Sequence, residues 1–229
     1  MEGFRRHDLV WLDPDTDMAG YVACEEHGEI ANNWIKQSWP LVVARQPDNQ
    51  PDKIKSKAGF VQLGFTLPSA PSRTRVSVCV PQAAIISYAR PLLLKYAIPH
   101  APQEWGVQLS AVDKICTANA VKARVYGSLS TQAFTRQNYL DAASDVDVLF
   151  ECSKGTQLHK FLYELQALAE QTPHLDGEIL APNGWAVAWR ELAAALHANT
   201  NVKLLAKSYN ETRLLSLDQL FEQQLSAAA

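Results

Sequence analysis

The feature that most constrains this chain is Asp145-Val146-Asp147, which opens the apolar run Val148-Leu149-Phe150 and follows Gly127-Ser128. Side chains two apart in a strand share a face, so both carboxylates project together while Val146 and Val148 point the other way. Carboxylates so placed repel each other unless a cation joins them, and Mg²⁺ commonly takes one or two carboxylates together with substrate phosphates. Upstream, Ala123-Arg124-Val125-Tyr126 predicts a short strand. Gly127 then permits a sharp turn into a helix beginning near Ser128, whose first N–H groups and hydroxyl suit phosphate. Strand, Gly-Ser turn, helix, and strand with Asp-x-Asp together predict one site for phosphoryl or nucleotidyl transfer.

At these residues the chain resembles the nucleotidyltransferase superfamily of the DNA polymerase beta type, whose core motif is a Gly-Ser turn followed by Asp-x-Asp on the next strand. The gap between the two motifs is longer here than the superfamily commonly shows. Arg124-Val125-Tyr126-Gly127-Ser128, Gln132, Thr135, Tyr139-Leu140 and Ser144-Asp145-Val146-Asp147-Val148-Leu149 resemble more specifically the phosphoribosyl-dephospho-CoA transferases of bacterial malonate decarboxylase, which accommodate that gap. The stretch from Arg6 to Leu12, the stretch from Pro40 to Arg45, Asp176-Gly177-Glu178 and Trp189-Arg190-Glu191-Leu192 extend the likeness over most of the chain. Departures stand at Thr131, where the family frequently has an aromatic residue, and at Arg136, where it frequently has glycine.

The resemblance implies a Mg²⁺-dependent enzyme that moves phosphoribosyl-dephospho-CoA from triphosphoribosyl-dephospho-CoA to a serine of the apo acyl carrier protein subunit of malonate decarboxylase, releasing pyrophosphate. Such a site takes a third carboxylate from a neighbouring strand, and Asp176 and Glu178 share one face of a short one. We take Glu178, with Asp176 in reserve. Asp145, Asp147 and Glu178 then hold the metal, Glu178 assists deprotonation of the serine, and Gly127-Ser128 orient the triphosphate. Arg124 closely precedes the Gly-Ser turn, and Lys203 and Lys207 suit the pyrophosphate as point charges, although a solvated strand end is the plainer reading for all three. Two rivals remain: a nucleotidyltransferase, such as an adenylyltransferase, acting on another protein or small-molecule acceptor, and a nucleotide-binding regulatory module without turnover.

Pattern and punctuation predict an α+β fold in two domains. In residues 1–80, strands are expected at Leu9 to Leu12, Leu41 to Ala44, Phe60 to Leu67 and Thr74 to Val80, with a helix around Glu29 to Ser38 and loops at Gln46 to Lys57 and Pro68 to Arg73, making a small α/β domain. Residues 81–229 are expected to form a nucleotidyltransferase-like core, a mixed sheet flanked by helices. Helical patterns run through Gln82 to Ala97, broken by Pro91, and through Gln103 to about Ala120. Leu158, Leu162, Leu165 and Ala169 recur at helical spacing. Strands follow at Leu175 to Leu180 and Val202 to Ala206, with helices across Val187 to His197 and near Leu217 to Leu225.

A formal net charge of -3 over 229 residues exerts no general pull on nucleic acid, so a small nucleotide is the expected substrate. Cys24, Cys79, Cys116 and Cys152 are scattered without a Cys-x-x-Cys pair, and the histidines lack metal-ligand spacing. We expect reduced, mostly packed thiols. No signal-peptide core or membrane-spanning run is evident, so the cytoplasm is the expected location. Ser128 lacks the Gly-x-Ser-x-Gly setting of a nucleophile, and phosphate contact suits it better. Arg73 and Arg75 share a strand face from which they would reach phosphate, and Phe134 and Tyr139 are candidates to stack on adenine, with solvent exposure and core packing as the respective plainer readings.

Overall fold

Along Phe60–Thr66, Val61, Leu63 and Phe65 are buried while the residues between them are half-buried, the two-residue period of a strand with one face on a core. This strand belongs to the first of two compact units, Met1–Pro91 with Tyr209–Glu211 and Leu92–Ser208 with Thr212–Ala229. The computed structural model describes residues 3–46, 59–68, 74–153, 156–198 and 202–225. The loops expected at Gln46 to Lys57 and Pro68 to Arg73 lie almost wholly outside the described residues, and so does Arg73.

The first unit contains β1 (Leu9–Leu12), α1 (Gly28–Lys36), β2 (Leu41–Val43), β3 (Phe60–Thr66), β4 (Arg75–Pro81) and β5 (Ile85–Ala89). Its strands form an antiparallel sheet in the order β4-β3-β2-β1-β5. Helix α1 buries Ala31, Trp34 and Ile35, and Trp34 stacks on Phe65 of β3 with ring centroids 4.3 Å apart. The Trp34 indole N–H is satisfied by the Pro40 carbonyl at 3.1 Å, as a buried donor requires.

The second unit runs through β6 (Leu92–Leu93), α2 (Leu94–Ala97), α3 (Gly106–Ala118), β7 (Val121–Val125), α4 (Gly127–Thr135), β8 (Val146–Cys152), α5 (Leu158–Ala169), β9 (Leu175–Leu180), β10 (Ala186–Ala188), α6 (Trp189–Ala198), β11 (Leu204–Lys207), β12 (Thr212–Leu215) and α7 (Leu217–Leu225). Its sheet has the order β12-β11-β10-β9-β8-β7-β6 and is antiparallel except for β8 and β9. A parallel pair needs a crossover, which α5 supplies. Val146, Val148 and Phe150 of β8 and Ile179 of β9 join one apolar core with Leu109 and Val112 of α3 and Phe161, Leu162 and Leu165 of α5. Strand alternation consequently sends Asp147, Leu149 and Glu151, with Asp176 and Glu178, to the opposite face.

The architecture is α+β, as expected, with three differences in detail. Of the helical pattern expected through Gln82 to Ala97 and broken by Pro91, Leu94–Ala97 is α-helical while Ile85–Ala89 is a strand. Ile85–Ala89 pairs with β1 through Leu9↔Ala89 and Val10↔Tyr88, because a β-branched and aromatic run beside an open sheet edge gains a hydrogen-bonded ladder that a short surface helix lacks. That pairing also puts residues 81–91 in the first unit, so the chain divides after Pro91 rather than after Val80. The short strands β6, β10 and β12 were not anticipated. Among the described residues no helix is long and apolar enough to cross a membrane.

Candidate active site

Three carboxylates converge at one end of the second sheet. Asp145 stands just before β8, Asp147 is its second residue and Asp176 is the second residue of β9, and one oxygen from each lies within 4.8 Å of the others. The parallel register Asp147↔Asp176 sets two of them side by side, at the ~4.8 Å spacing of neighbouring strands.

Two glycines make this approach possible. Gly127 has φ 63, and a Cβ built there would lie 2.0 Å from Oδ2 of Asp147, so the carboxylate occupies the space a side chain would fill. Gly177, at φ 141, is opposite Val148, where a Cβ would fall 1.9 Å from the Val148 carbonyl oxygen. No other residue type lets β9 lie this close to β8 in this conformation. The Gly177 N–H also donates to Oδ1 of Asp176 at 2.7 Å, fixing that carboxylate from its own strand.

Helix α4 begins at Gly127, beside Asp147. Its N-cap, Tyr126, is extended and supplies no side-chain cap, so the first-turn N–H groups open toward the carboxylate end with the positive end of the helix dipole. Gly127 is exposed in that turn and Ser128 half-buried. The long segment between α4 and β8 is pinned by Gln132, whose Oε1 accepts from the N–H groups of Tyr139 and Leu140 at 2.9 and 3.2 Å and whose Nε2 donates to the His100 carbonyl at 2.6 Å. Asp141 and Ser144 close a turn immediately before Asp145 by reciprocal side-chain bonds of 3.0 Å. Sequence reasoning had not assigned this positioning role to Gln132. Its place one helical turn after Ser128 was the available signal.

The other candidates fall elsewhere. Glu178 shares the face of Asp176 but lies two residues further into the sheet, opposite Leu149, which is ~6.6 Å along the strand. It is buried, and its Oε1 accepts from Lys207 Nζ at 2.9 Å, so the third carboxylate of the cluster is Asp176 and not Glu178. Arg124 leans away from the aspartates, its Nε 2.9 Å from Glu151 Oε2. Lys203 is exposed just before β11. Tyr139 is buried, and burial pushes its phenol up to about 12, which makes it a core residue and not a stacking platform. All four cysteines are free and only Cys24 is exposed. Burial raises the thiols of Cys116 and Cys152, the latter to about 12, so neither is a ready nucleophile.

The three carboxylates at the sheet end are groups that could hold a metal ion, and the start of α4 beside them offers N–H groups that suit phosphate. The family description "Phosphoribosyl-dephospho-CoA transferase MdcG C-terminal domain" matches residues 93–218, and the corresponding N-terminal domain description matches residues 5–91. A phosphoribosyl-dephospho-CoA transferase of Bradyrhizobium diazoefficiens is 34% identical over 216 residues, covering 93% of this chain and 91% of its own length. One from Xanthomonas campestris pv. campestris strain 8004 is 34% identical over 223 residues, covering 97% of this chain and 99% of its own. The chain belongs to the phosphoribosyl-dephospho-CoA transferase family. No solved structure matches it.

Proposed function

We propose that this protein transfers the phosphoribosyl-dephospho-CoA group from triphosphoribosyl-dephospho-CoA to a serine hydroxyl of the apo acyl carrier protein subunit of malonate decarboxylase, releasing pyrophosphate, in the cytoplasm. The convergence of Asp145, Asp147 and Asp176 beside the uncapped start of α4 carries this reading. The donor set is all hard oxygen, the chemistry that suits Mg²⁺, and Gly127 leaves room for the Asp147 carboxylate. These three residues would hold the cation, which would neutralise phosphate charge and stabilise the oxygens entering and leaving phosphorus.

The residues of the chain do the rest. The first-turn N–H groups of α4 and the Ser128 hydroxyl bind the triphosphate oxygens and turn the α-phosphorus toward the aspartates. The serine oxygen attacks that phosphorus, forming the new P–O bond as the bond to the β-phosphate oxygen breaks and pyrophosphate departs. The serine proton passes to a carboxylate of the cluster, the role Asp176 takes over from Glu178, whose carboxylate is bound to Lys207.

Intact-mass spectrometry of the carrier, after incubation with the triphosphoribosyl donor and Mg²⁺, tests the proposal. One added prosthetic group is expected, and none on a carrier lacking the acceptor serine. Mass gain with ATP alone, and none with the donor, would replace this reading with protein adenylylation.

A further inference from the structure

The face of the second sheet opposite its apolar core carries two ion pairs that lean in opposite directions. Register sets Arg124 of β7 opposite Leu149 and Glu178 opposite Leu149, so all three lie at one level, two residues inward from Asp147 and Asp176. Glu151 and, through Ala186, Lys207 lie one step further in. Arg124 reaches inward to Glu151, away from the aspartates. Lys207 reaches outward to Glu178, toward them. The Glu178 side chain is 7% exposed and that of Lys207 is 38% exposed, so the carboxylate is fixed inside while the ammonium meets solvent on the face that bears the aspartates.

An ammonium has three N–H donors and no acceptor. Among the described residues Lys207 spends one on Glu178, leaving two directed from a preset position. Glu178 stands one level, ~6.6 Å along its strand, from Asp176, so the ammonium it holds is on the same face as the aspartates and within reach of an extended ligand seated on them. Acids at one station and a held cation at the next suit a ligand with phosphate at both.

We propose that Lys207, oriented by buried Glu178, is a diphosphate-binding residue of this site. The inference rests on the transferase reading above and deepens it. A triphosphoribosyl-dephospho-CoA donor offers two such groups: the diphosphate that leaves, and the diphosphate bridge joining adenosine to pantetheine. Either has the chemistry Lys207 would recognise.

Calorimetric titration of the full chain with pyrophosphate and, separately, with dephospho-CoA, both in Mg²⁺, separates the two sources. Lys207→Gln is expected to weaken one of them about tenfold, the scale of one lost charge-assisted contact, while Lys207→Arg retains most of the affinity. Weakening of pyrophosphate assigns the leaving group, and weakening of dephospho-CoA assigns the bridge. Unchanged affinity for both in folded Lys207→Gln, or no binding of either by the wild type, overturns the proposal. If Lys207→Gln folds poorly because buried Glu178 loses its ammonium, the Glu178→Gln/Lys207→Gln double variant removes the buried charge and must show the same affinity loss. Neither ligand is turned over, so failure of the transfer reading, seen as no mass gain on the carrier with wild-type protein, stays distinct from failure here.

Discussion

Asp8 in the first unit is 1% exposed, and both of its oxygens accept from Arg90 Nη1, at 3.0 and 3.1 Å, while Oδ2 also takes the Arg5 N–H at 2.8 Å. Asp145 and Asp176 in the second unit are exposed, and with Asp147 they converge on one another. The first arrangement satisfies a carboxylate at the cost of burying it, and burial is the main reason its pKa stands above 3.8, with the Arg5 N–H and Arg90 pulling it back down. The second accumulates like charge at a strand end, where nothing in core packing asks for it. One pattern builds a domain, and the other is the pattern on which the proposed site rests.

The sharpest way to break this contrast is to neutralise each cluster in turn. Asp145→Asn, Asp147→Asn or Asp176→Asn should cut transfer to the carrier by roughly 10³-fold or more while leaving the thermal midpoint unchanged or raised, since each removes repulsion within the acidic cluster. Near-normal turnover in Asp176→Asn, measured at saturating Mg²⁺ and donor, would return the third position to Glu178. The glycines separate fold from site in the same way. Gly177→Ala should destabilise by about 3 kcal/mol or more, because the clash is with β8 backbone that cannot move aside. Gly127→Ala pushes against the movable end of Asp147 and should lose activity out of proportion to stability.

In the first unit Arg90→Ala should cost about 3 kcal/mol by stranding Asp8. Its pH dependence has a definite sign. With its folded pKa above the unfolded value, Asp8 holds its proton more tightly when folded, so its contribution is fully present below the unfolded pKa of about 3.8 and declines as pH rises through the folded value. Removing Arg90 raises that folded value further. The deficit of the variant should therefore be greatest near neutrality and shrink in acid, read as the difference in urea midpoints from pH 7 to pH 4. Equal deficits at both ends would show that the pair acts through packing and not charge.

The smallest effect is expected at Arg136, which ends α4 at φ 61 and bonds the His100 ring. Arg136→Gly should stabilise by about 1 kcal/mol, since only glycine adopts that conformation without strain. The His100 imidazole, held below its ordinary range by burial and by the Arg136 charge, should then titrate higher, as a histidine proton chemical-shift titration would record.

Much of this molecule was legible because its signals are local. Leu9–Leu12, Phe60–Thr66, Leu158–Ala169 and Leu175–Leu180 carry period-two or helical patterns long enough to read, and Gly127-Ser128 and Asp145-Val146-Asp147 mark a turn and a strand entry by residue type alone. The helical pattern read before Pro91 gave way to a strand because the partner of Ile85–Ala89 is β1, far upstream. Ala186–Ala188 and Thr212–Leu215 are too short to show a period, and only their neighbours make them strands.

Asp176-Gly177-Glu178 marks the boundary between the two kinds of information. Residue order determined that an acidic pair would open a strand, that a glycine turn would precede it and that Asp176 and Glu178 would share a face. Which of the two acids joins Asp145 and Asp147 depended on the register of β9 against β8 and on Lys207, two strands further on. A one-strand pattern repeats identically at every second residue, so it cannot say which repeat lies at the sheet end. The tertiary structure decides that by setting Gly177 against Val148, placing Asp176 beside Asp147 and leaving Glu178 inside to hold a lysine.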